Sequence, residues 1–434
     1  MELSPDAVAV IGFVTLFVLM LLRVPVGMAM GLIGVSGFGY LVGGGPALKM
    51  VGQTSMRIVT DYTFGVIPMF LLMGAFVSKS GMSREMFRAA NTFIGHWRGG
   101  LGLATIAACA GFAAISGSSV ATAATFSTVA YPEMRRFNYP QSFATGVIAA
   151  GGTLGAMFPP SIVLAVYGLI TQQDIGKLFM AGVFPGLLAV SMYMGTIFLI
   201  GVIRPGWLPT VPVSTWAERC QALKDIWAPI LLFVFVIGGL YGGLFTPTEA
   251  GGMGAGGSFL IGIARRRLSR DDILQCLLQA TRTAAAVFTV LIGAILFGYF
   301  LTVTQTPQNV TEFVTGLGLG RYGVLMLIMG MYLVLGCLMD AMAMIILTVP
   351  IIFPVVTALG FDPVWFGVII VMTVELGLIH PPVGMNVFVI KTVVKDVSFS
   401  TIFKGVLPFV ATDLVRLAIL ILFPVIALWL PSRM

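Results

Sequence analysis

The chain has 434 residues, of which 58% are apolar and 9% charged, whereas a soluble domain is about 45–50% apolar and about 25% charged. A chain with this few charged residues cannot form the charged surface of a water-soluble protein. The composition therefore excludes a soluble globular protein and indicates an integral membrane protein. The net charge is +7, but the basic residues are scattered through short loops, as topology signals are, so no nucleic acid partner is expected.

Apolar stretches long enough to cross about 30 Å of hydrocarbon predict ten membrane spans along the chain. Two further apolar stretches are broken in their middle, by residues 116–119 and by residues 337–341, and these are interpreted as re-entrant hairpins. The predicted spans lie near residues 8–22, 24–43, 62–80, 142–170, 178–202, 227–244, 247–264, 284–304, 364–390 and 405–430.

The distribution of basic residues supports the hairpin interpretation. If both hairpins enter and leave on one side, eighteen lysines and arginines face the cytoplasm and five face outward. This bias follows the positive-inside rule, and it predicts that both termini face outward. If the first hairpin crossed the membrane instead, Arg265, Arg266 and Arg267 would lie outside.

Landmark residues recur 222 positions apart and indicate an internal duplication. The first repeat is predicted at 1–215, with a hairpin at about 100–134 and a broken helix at 142–170. The second is predicted at 216–434, with a hairpin at about 322–360 and a broken helix at 364–390. Each repeat holds an odd number of spans, so the second is inverted, which is typical of secondary transporters. The matching pairs are Pro25 with Pro247, Pro132 with Pro354, Gly155 with Gly377, and Pro159–Pro160 with Pro381–Pro382.

Hydroxyl groups and one acid lie at the two predicted hairpin tips. Ser116, Gly117, Ser118, Ser119 and Thr122 offer oxygen ligands for a sodium ion or donors for an anion. The alternative is that these hydroxyls only bond to the preceding helical turn. At the second tip, Asp340 corresponds to Ser118, and intramembrane carboxylates are usually functional. Asp340 could equally organise the tip by accepting local N–H bonds.

Five other polar residues fall within predicted spans. Glu375 could neutralise a cation, carry a proton or cap unwound backbone, and these readings stay open. His380 could titrate, contribute only its carbonyl, or satisfy a neighbour, while Asn386 could join helices by hydrogen bonds. Asp413 and Arg416, three residues apart, are expected to form a structural pair. Two segments, SREMFRAANTFIGHWRGG and LSRDDILQCLLQATRTAA, are predicted to be amphipathic helices in the membrane plane.

Enzymatic signatures are missing from the sequence. There is no GxxxxGK[ST] motif for ATP, and the serines after Gly117 have no histidine nearby, since His96 lies in a basic segment and His380 in the opposite repeat. We therefore expect a transporter rather than an enzyme, driven by an ion gradient or by another subunit.

The sequence closely resembles the large transmembrane subunit of tripartite ATP-independent periplasmic (TRAP) transporters over nearly its whole length. The resemblance is carried by RVPVGMA at 23–29, IPMFLLMGAF at 67–76, ISGSSVATAA at 115–124, GGTLGAMFPPS at 151–161, FTPTEAG at 245–251 and ELGLIHPPVGMNVFVIK at 375–391.

This resemblance implies an all-α, elevator-type carrier with two sodium sites and no organic cofactor. One sodium site is expected between the first hairpin and the broken helix after it, and the second at the matching place in the other repeat. The implied ligands are Ser116, Ser118, Gly155, Phe158 and Ser161 for the first site and Met339, Asp340, Gly377, His380 and Val383 for the second. The residues expected to bind the substrate are Ser116, Gly117, Ser118, Ser119, Thr122, Gly152, Thr153, Asp340 and Asn386.

The function implied by the resemblance is sodium-coupled import of a small organic acid, such as a C4-dicarboxylate or sialic acid. The expected partners are a small four-span membrane subunit and a periplasmic substrate-binding protein, and the expected location is the bacterial inner membrane. The alternative is a proton-coupled or binding-protein-independent organic anion carrier, with Asp340 and Glu375 as its proton relay.

Overall fold

The computed structural model describes residues 4–337 and 339–434, and within these residues all regular structure is helical. The helices of the first predicted repeat are α1 Pro5–Leu21, α2 Val26–Val42, α3 Gly44–Thr60, α4 Val66–Lys79, α5 Met82–Ile94, α6 Gly100–Ser116, α7 Ser119–Arg136, α8 Gln141–Met157, α9 Ile162–Thr171 and α10 Ile175–Ile203.

The second predicted repeat follows a connecting segment, 204–215, that includes a short 3₁₀ turn at Pro205–Trp207. Its helices are α11 Trp216–Asp225, α12 Trp227–Tyr241, α13 Pro247–Ala264, α14 Arg270–Val303, α15 Thr306–Gly316, α16 Gly320–Gly336, α17 Ala341–Ala358, α18 Pro363–Ile379, α19 Met385–Val393, α20 Phe399–Leu422 and α21 Val425–Leu428. Two more 3₁₀ turns, Tyr62–Gly65 and Pro431–Arg433, complete the described structure.

The prediction of an all-helical polytopic membrane protein is confirmed. Each of the ten predicted spans coincides with a helix or with two consecutive helices. Of the described helices, six are long and apolar enough to cross a membrane, and the bent pair α11–α12 would make a seventh. Five further described helices, α1, α2, α6, α16 and α18, are apolar but shorter. The repeat boundaries and the sidedness of the hairpins remain predictions.

Two helices differ from the sequence-based expectation. The segment after Ser269 was expected to lie in the membrane plane, but it is the beginning of α14, which continues unbroken for 34 residues. Ser269 and Asp272 cap its start reciprocally, and glycine and proline are absent until Gly293, so nothing ends the helix earlier. The other is α3, whose buried residues at helical spacing form an amphipathic face that the sequence analysis did not identify.

Glycines bring α2 and α14 into backbone contact. A Cβ on Gly27 would lie 2.6 Å from Val290 Cα, and one on Gly34 would lie 2.6 Å from the carbonyl carbon of Leu296. Small residues at such positions let membrane helices approach closely. Together with α4 and α13, which pack against each other, these helices form one side of the molecule.

The other side is built around α8 and α18, which contact each other and occupy corresponding places in the two predicted repeats. Every residue of α8 from Phe143 to Met157 and every residue of α18 from Trp365 to Ile379 is buried. Two helix hairpins, α6–α7 and α16–α17, pack against this pair, and they are called the first and the second hairpin below.

Candidate functional site

The tip of the first hairpin rests directly on the interruption between α8 and α9, which is called the first break (158–161). Gly117 has φ +61°, and its carbonyl accepts a hydrogen bond of 3.4 Å from Ile162 N–H. A Cβ on Gly117 would collide with the carbonyl oxygen of Pro160, and one on Gly155 would lie 2.6 Å from Ser119 N. Glycine is therefore required at both positions, because neither Gly117 nor Gly155 has room for a Cβ and Gly117 also adopts a positive φ.

The first break exposes carbonyl oxygens because it contains two prolines. Pro159 and Pro160 have no N–H, so the carbonyls of Gly155 and Ala156 cannot receive their usual helical hydrogen bonds. The hydroxyl of Ser161 donates to the carbonyl of Ala156 and accepts from Leu164 N–H at 3.1 Å, which caps α9. The carbonyl of Gly155 thus remains beside the hairpin tip as a candidate cation ligand.

The hydroxyls of the first tip bond mainly within the tip. Ser118 caps α7 by accepting from Ala121 N–H at 3.3 Å, and Thr122 donates to the carbonyl of Ser118 at 2.7 Å. The hydroxyls of Ser116 and Thr122 lie 3.4 Å apart. Thr122 thus bonds to the preceding helical turn, which is the alternative that the sequence left open for these hydroxyls. The side-chain oxygens of Ser116 and Ser118 lie at the tip instead.

The second hairpin meets α18 through two glycines, just before the interruption between α18 and α19, which is called the second break (380–384). A Cβ on Gly377 would lie 2.7 Å from Gly336 Cα, so α16 and α18 touch through their backbones. His380 donates its N–H to the carbonyl of Gly377 at 3.2 Å, and its Nδ1 lies 2.6 Å from the carbonyl oxygen of Pro381. The imidazole of His380 therefore satisfies the hydrogen-bonding capacity of the neighbouring carbonyl of Pro381, which is one of the roles that the sequence left open.

Asp340 lies at the second hairpin tip and begins α17. Its carboxylate accepts from Met342 N–H at 3.1 Å, as expected for an acid that organises the tip, and it is exposed. His380 and Val383 are exposed as well, and Met339 is half-buried. By contrast, Ser116 and Ser161 are buried and Phe158 is only half-buried. The first tip and break are therefore closed off by protein, and the second pair is open.

Two buried contacts join the two predicted repeats, Ser119 with Glu375 and Gly152 with Asn386, and these four residues are called the junction below. Ser119 donates to Glu375 Oε1 at 2.7 Å. Glu375 Oε2 and both amide atoms of Asn386 are buried without a partner. A Cβ on Gly152 would lie 3.2 Å from Asn386 Nδ2. Unsatisfied buried polar atoms are costly, so this cluster indicates a place for a polar ligand or water.

A second buried network lies on another face of α8. Thr153 Oγ1 lies 3.0 Å from the hydroxyl of Tyr193, which donates to both oxygens of Asp413 at 2.8 and 2.7 Å. Asp413 pairs with Arg416 at 2.9 Å. The pair expected from the sequence is present, but Thr153 contacts Tyr193 and not the hairpin tips.

The structure places most of the predicted site residues in two groups, one at each contact between a hairpin and the broken helix that it packs against. Thr153 lies apart from both groups. Sequence reasoning did not identify Tyr193 or Gly336, because neither stands in a recognisable motif. Among the residues that the structure describes, no three His, Cys, Asp or Glu side chains form a metal-binding group. The oxygen atoms that these residues offer are hydroxyls, backbone carbonyls and the carboxylate of Asp340.

Comparison with known proteins identifies the family. The model of the family described as "Tripartite ATP-independent periplasmic transporter, DctM component" matches residues 13–426. The chain is 39% identical to the C4-dicarboxylate TRAP transporter large permease protein DctM of Pseudomonas aeruginosa over 86% of each chain. It is 31% identical to the sialic acid TRAP transporter large permease protein SiaM of Vibrio cholerae, over 89% of this chain and 90% of that protein.

The fold is similar to the crystal structure of the YdaH transporter of Alcanivorax borkumensis, with a TM-score of 0.64 over 88% of both chains and 12% sequence identity. At that identity the likeness concerns the fold alone. The family is established by the sequence matches, because one of them covers nearly the whole chain. The chain therefore belongs to the DctM family of tripartite ATP-independent periplasmic transporters, as a large permease subunit of a membrane transporter and not an enzyme.

Proposed function

We propose that the chain is the permease subunit of a sodium-coupled importer of a small organic acid and that it works by an elevator mechanism. The observation that carries the proposal is the pairing of each hairpin tip with a proline-broken helix, once in each predicted repeat. Broken helices of this kind, with freed carbonyls facing a polar site, are typical of secondary transporters.

Two sodium ions would be held by oxygen atoms at these contacts. Hard cations prefer oxygen ligands, and the first contact offers the oxygens of Ser116 and Ser118 together with the carbonyls of Gly155, Phe158 and Ser161. The carboxylate of Asp340 would contribute at the second contact, beside backbone oxygens of the second break. Because the second contact is open, its ion would exchange with solvent more readily than the first.

The substrate would lie between the hairpin tips and the junction. The relatives named above carry C4-dicarboxylate and sialic acid in their names, and both compounds contain carboxylate groups. The amide of Asn386, unpartnered and buried, is suited to donate a hydrogen bond to such a group, as are the hydroxyls of the tip. The carboxylate of Glu375 would repel an anionic substrate. The positive charge of bound sodium would offset the carboxylate's charge and reduce that repulsion.

The α6–α9 and α16–α19 elements, which carry both hairpins and both breaks, would form the mobile domain. The α2–α14 contact, locked by glycines, belongs to the opposite side of the molecule and would form the fixed scaffold. The partners would be a small four-helix membrane subunit and a periplasmic binding protein that delivers the substrate. The location would be the bacterial inner membrane, with both termini on the periplasmic side.

The test is uptake of a radiolabelled C4-dicarboxylate or sialic acid into proteoliposomes that contain this chain and its small subunit. We expect uptake only with an inward sodium gradient and a substrate-loaded binding protein outside. Uptake that persists without sodium but requires a proton gradient would favour the proton-coupled alternative. Uptake without any binding protein would favour an independent organic anion carrier.

A further inference from the structure

Three tryptophans and three arginines lie at or just beyond helix ends, on the side that the positive-inside rule assigns to the cytoplasm. Trp97 and Arg98 occupy the turn between α5 and α6, Arg204 and Trp207 follow α10, and Trp216 and Arg219 begin α11. The helices that carry these segments pack against one another, α5 against α6 and α11, and α6 against α10. These six residues are called the Trp–Arg rim.

Each segment of the rim is held in place by packing. Arg204 lies 4.1 Å above the ring of Trp207, and Arg219 lies 5.1 Å above the ring of Trp216. Near Gly201, the side chains of Arg98 and Leu208 occupy the space that a Cβ would fill, at 3.7 and 3.2 Å. The aromatic contacts direct the guanidinium groups but leave their charge uncompensated.

The arginines of the rim have no acidic partner, unlike their neighbours. Within the described residues, Arg88 pairs with Asp225 and Arg265 with Glu85, but Arg98, Arg204 and Arg219 make no ion pair. Arg219 Nε is buried and also has no hydrogen-bond acceptor.

The tryptophans of the rim are exposed although their rings are large and apolar. The exposed fraction is 55% for Trp97, 36% for Trp207 and 76% for Trp216. Exposed tryptophan is typical of the membrane–water interface, where its ring lies at the level of the headgroups. The rim therefore combines an interfacial aromatic group with unpaired planar donors that fit phosphate oxygens.

We propose that the Trp–Arg rim binds the phosphate groups of anionic phospholipids in the cytoplasmic leaflet. The guanidinium groups of Arg204 and Arg219 would each contact a phosphate group, and the rings of Trp207 and Trp216 beside them would lie against the glycerol and upper acyl region. The charge complementarity is direct, because this leaflet is negative and the rim is positive. This proposal is independent of sodium coupling and of the transported substrate.

The rim also includes the segment that connects the two predicted repeats. Residues 204–215 form few regular hydrogen bonds, with only one short 3₁₀ turn. Phospholipids bound at Arg204, where this segment begins, and at Arg219, just beyond its end, would hold it at the membrane surface.

The test compares two matched double variants by native mass spectrometry of the full-length chain with added phosphatidylglycerol or phosphatidylcholine. The first is Arg204→Gln with Arg219→Gln. The control is Arg321→Gln with Arg433→Gln, which removes two arginines that also lie over aromatic rings, those of Tyr322 and Trp429, at 4.8 and 5.6 Å. We expect the rim variant to lose roughly fivefold in affinity for phosphatidylglycerol at each of the two arginine positions, and the control to stay close to the wild type.

Three results would overturn the proposal. They are an equal loss in both variants, a wild-type chain that binds both lipids equally, and displacement of phosphatidylglycerol by millimolar inorganic phosphate, which would assign the site to a free anion. Should the rim variant unfold, brominated phosphatidylglycerol in nanodiscs gives a second measurement. Its quenching of tryptophan fluorescence should exceed that by brominated phosphatidylcholine, and Trp207→Phe with Trp216→Phe should remove the difference; equal quenching would contradict the proposal.

Discussion

Replacing Gly155 by alanine tests the contact between the first hairpin tip and the first break. The new Cβ would lie 2.5 Å from the carbonyl carbon of Ser118 and 2.6 Å from Ser119 N. Carbon atoms in ordinary contact are about 3.5–4.0 Å apart, so the tip must move by about 1 Å. Overpacking of this kind costs about 1–3 kcal/mol, partly offset by the roughly 1 kcal/mol that alanine gains over glycine in a helix.

The matched control is Gly111→Ala in α6 of the same hairpin. A Cβ there meets only Met86 Sδ, at an ordinary 3.8 Å, so this variant should show the helical gain alone. The assay is thermal unfolding in detergent across a sodium titration. For Gly155→Ala we expect the sodium concentration at half-maximal stabilisation to rise at least about tenfold, equivalent to about 1.4 kcal/mol. The control should keep the wild-type midpoint.

A wild-type sodium midpoint in Gly155→Ala, together with an unchanged unfolding temperature, would show that the tip and the break are not in contact. An unchanged midpoint with a lowered unfolding temperature would keep the contact but remove the sodium ion from it. The two results therefore separate the packing argument from the proposed ion site.

Three further substitutions probe the remaining contacts. Asp340→Asn keeps a side chain that can cap α17 but removes its charge. We expect this variant, like Asp340→Ala, to insert normally into the membrane and to lose uptake, which would show that transport requires the charge. Normal uptake in Asp340→Asn would show that Asp340 serves only to cap the helix. Ser119→Ala leaves Glu375 buried without its hydrogen-bond donor, which should lower the free energy of unfolding in denaturant by about 1–3 kcal/mol. This decrease should be smaller when Ser119→Ala is made together with Glu375→Gln. If the effects of the two substitutions simply add, the hydrogen bond between Ser119 and Glu375 is contradicted. Tyr193→Phe removes the donor to Asp413 and should lower the unfolding temperature with an unchanged sodium midpoint, whereas a shifted midpoint would connect this network to the ion sites.

The parts of the site that could be predicted from the sequence are those with local causes. A proline pair interrupts a helix wherever it occurs, and the glycine and serines at 116–119 favour a turn, so both breaks and the first tip follow from a few adjacent residues. The unbroken start of α14 was missed because polar residues before an apolar run suggested a surface helix, whereas a cap without a later breaker continues the helix.

Contacts between the two predicted repeats could not be predicted. Ser119 and Glu375 are 256 positions apart, and Tyr193 and Asp413 are 220 apart, so their pairing depends on how α7, α10, α18 and α20 pack. The face of α8 on which Gly152 and Thr153 each lie also depends on how the helices pack. Gly152 faces the junction and Thr153 faces Tyr193, a difference of one position that an all-apolar helix does not encode by periodicity.

The Asp413–Arg416 pair has a consequence for how the chain enters the membrane. A lone aspartate or arginine at the centre of a helix raises the cost of insertion by roughly 2.5–3.5 kcal/mol each. Because the two charges meet within α20 at 2.9 Å, this helix can enter the bilayer as a neutral pair before it meets α10. Tyr193 is synthesised 220 residues earlier, and the hydroxyl of Thr153 gives it a partner until α20 arrives. The order of synthesis is thus compatible with the side chains of Tyr193, Asp413 and Arg416 each having a partner from the time that they enter the membrane.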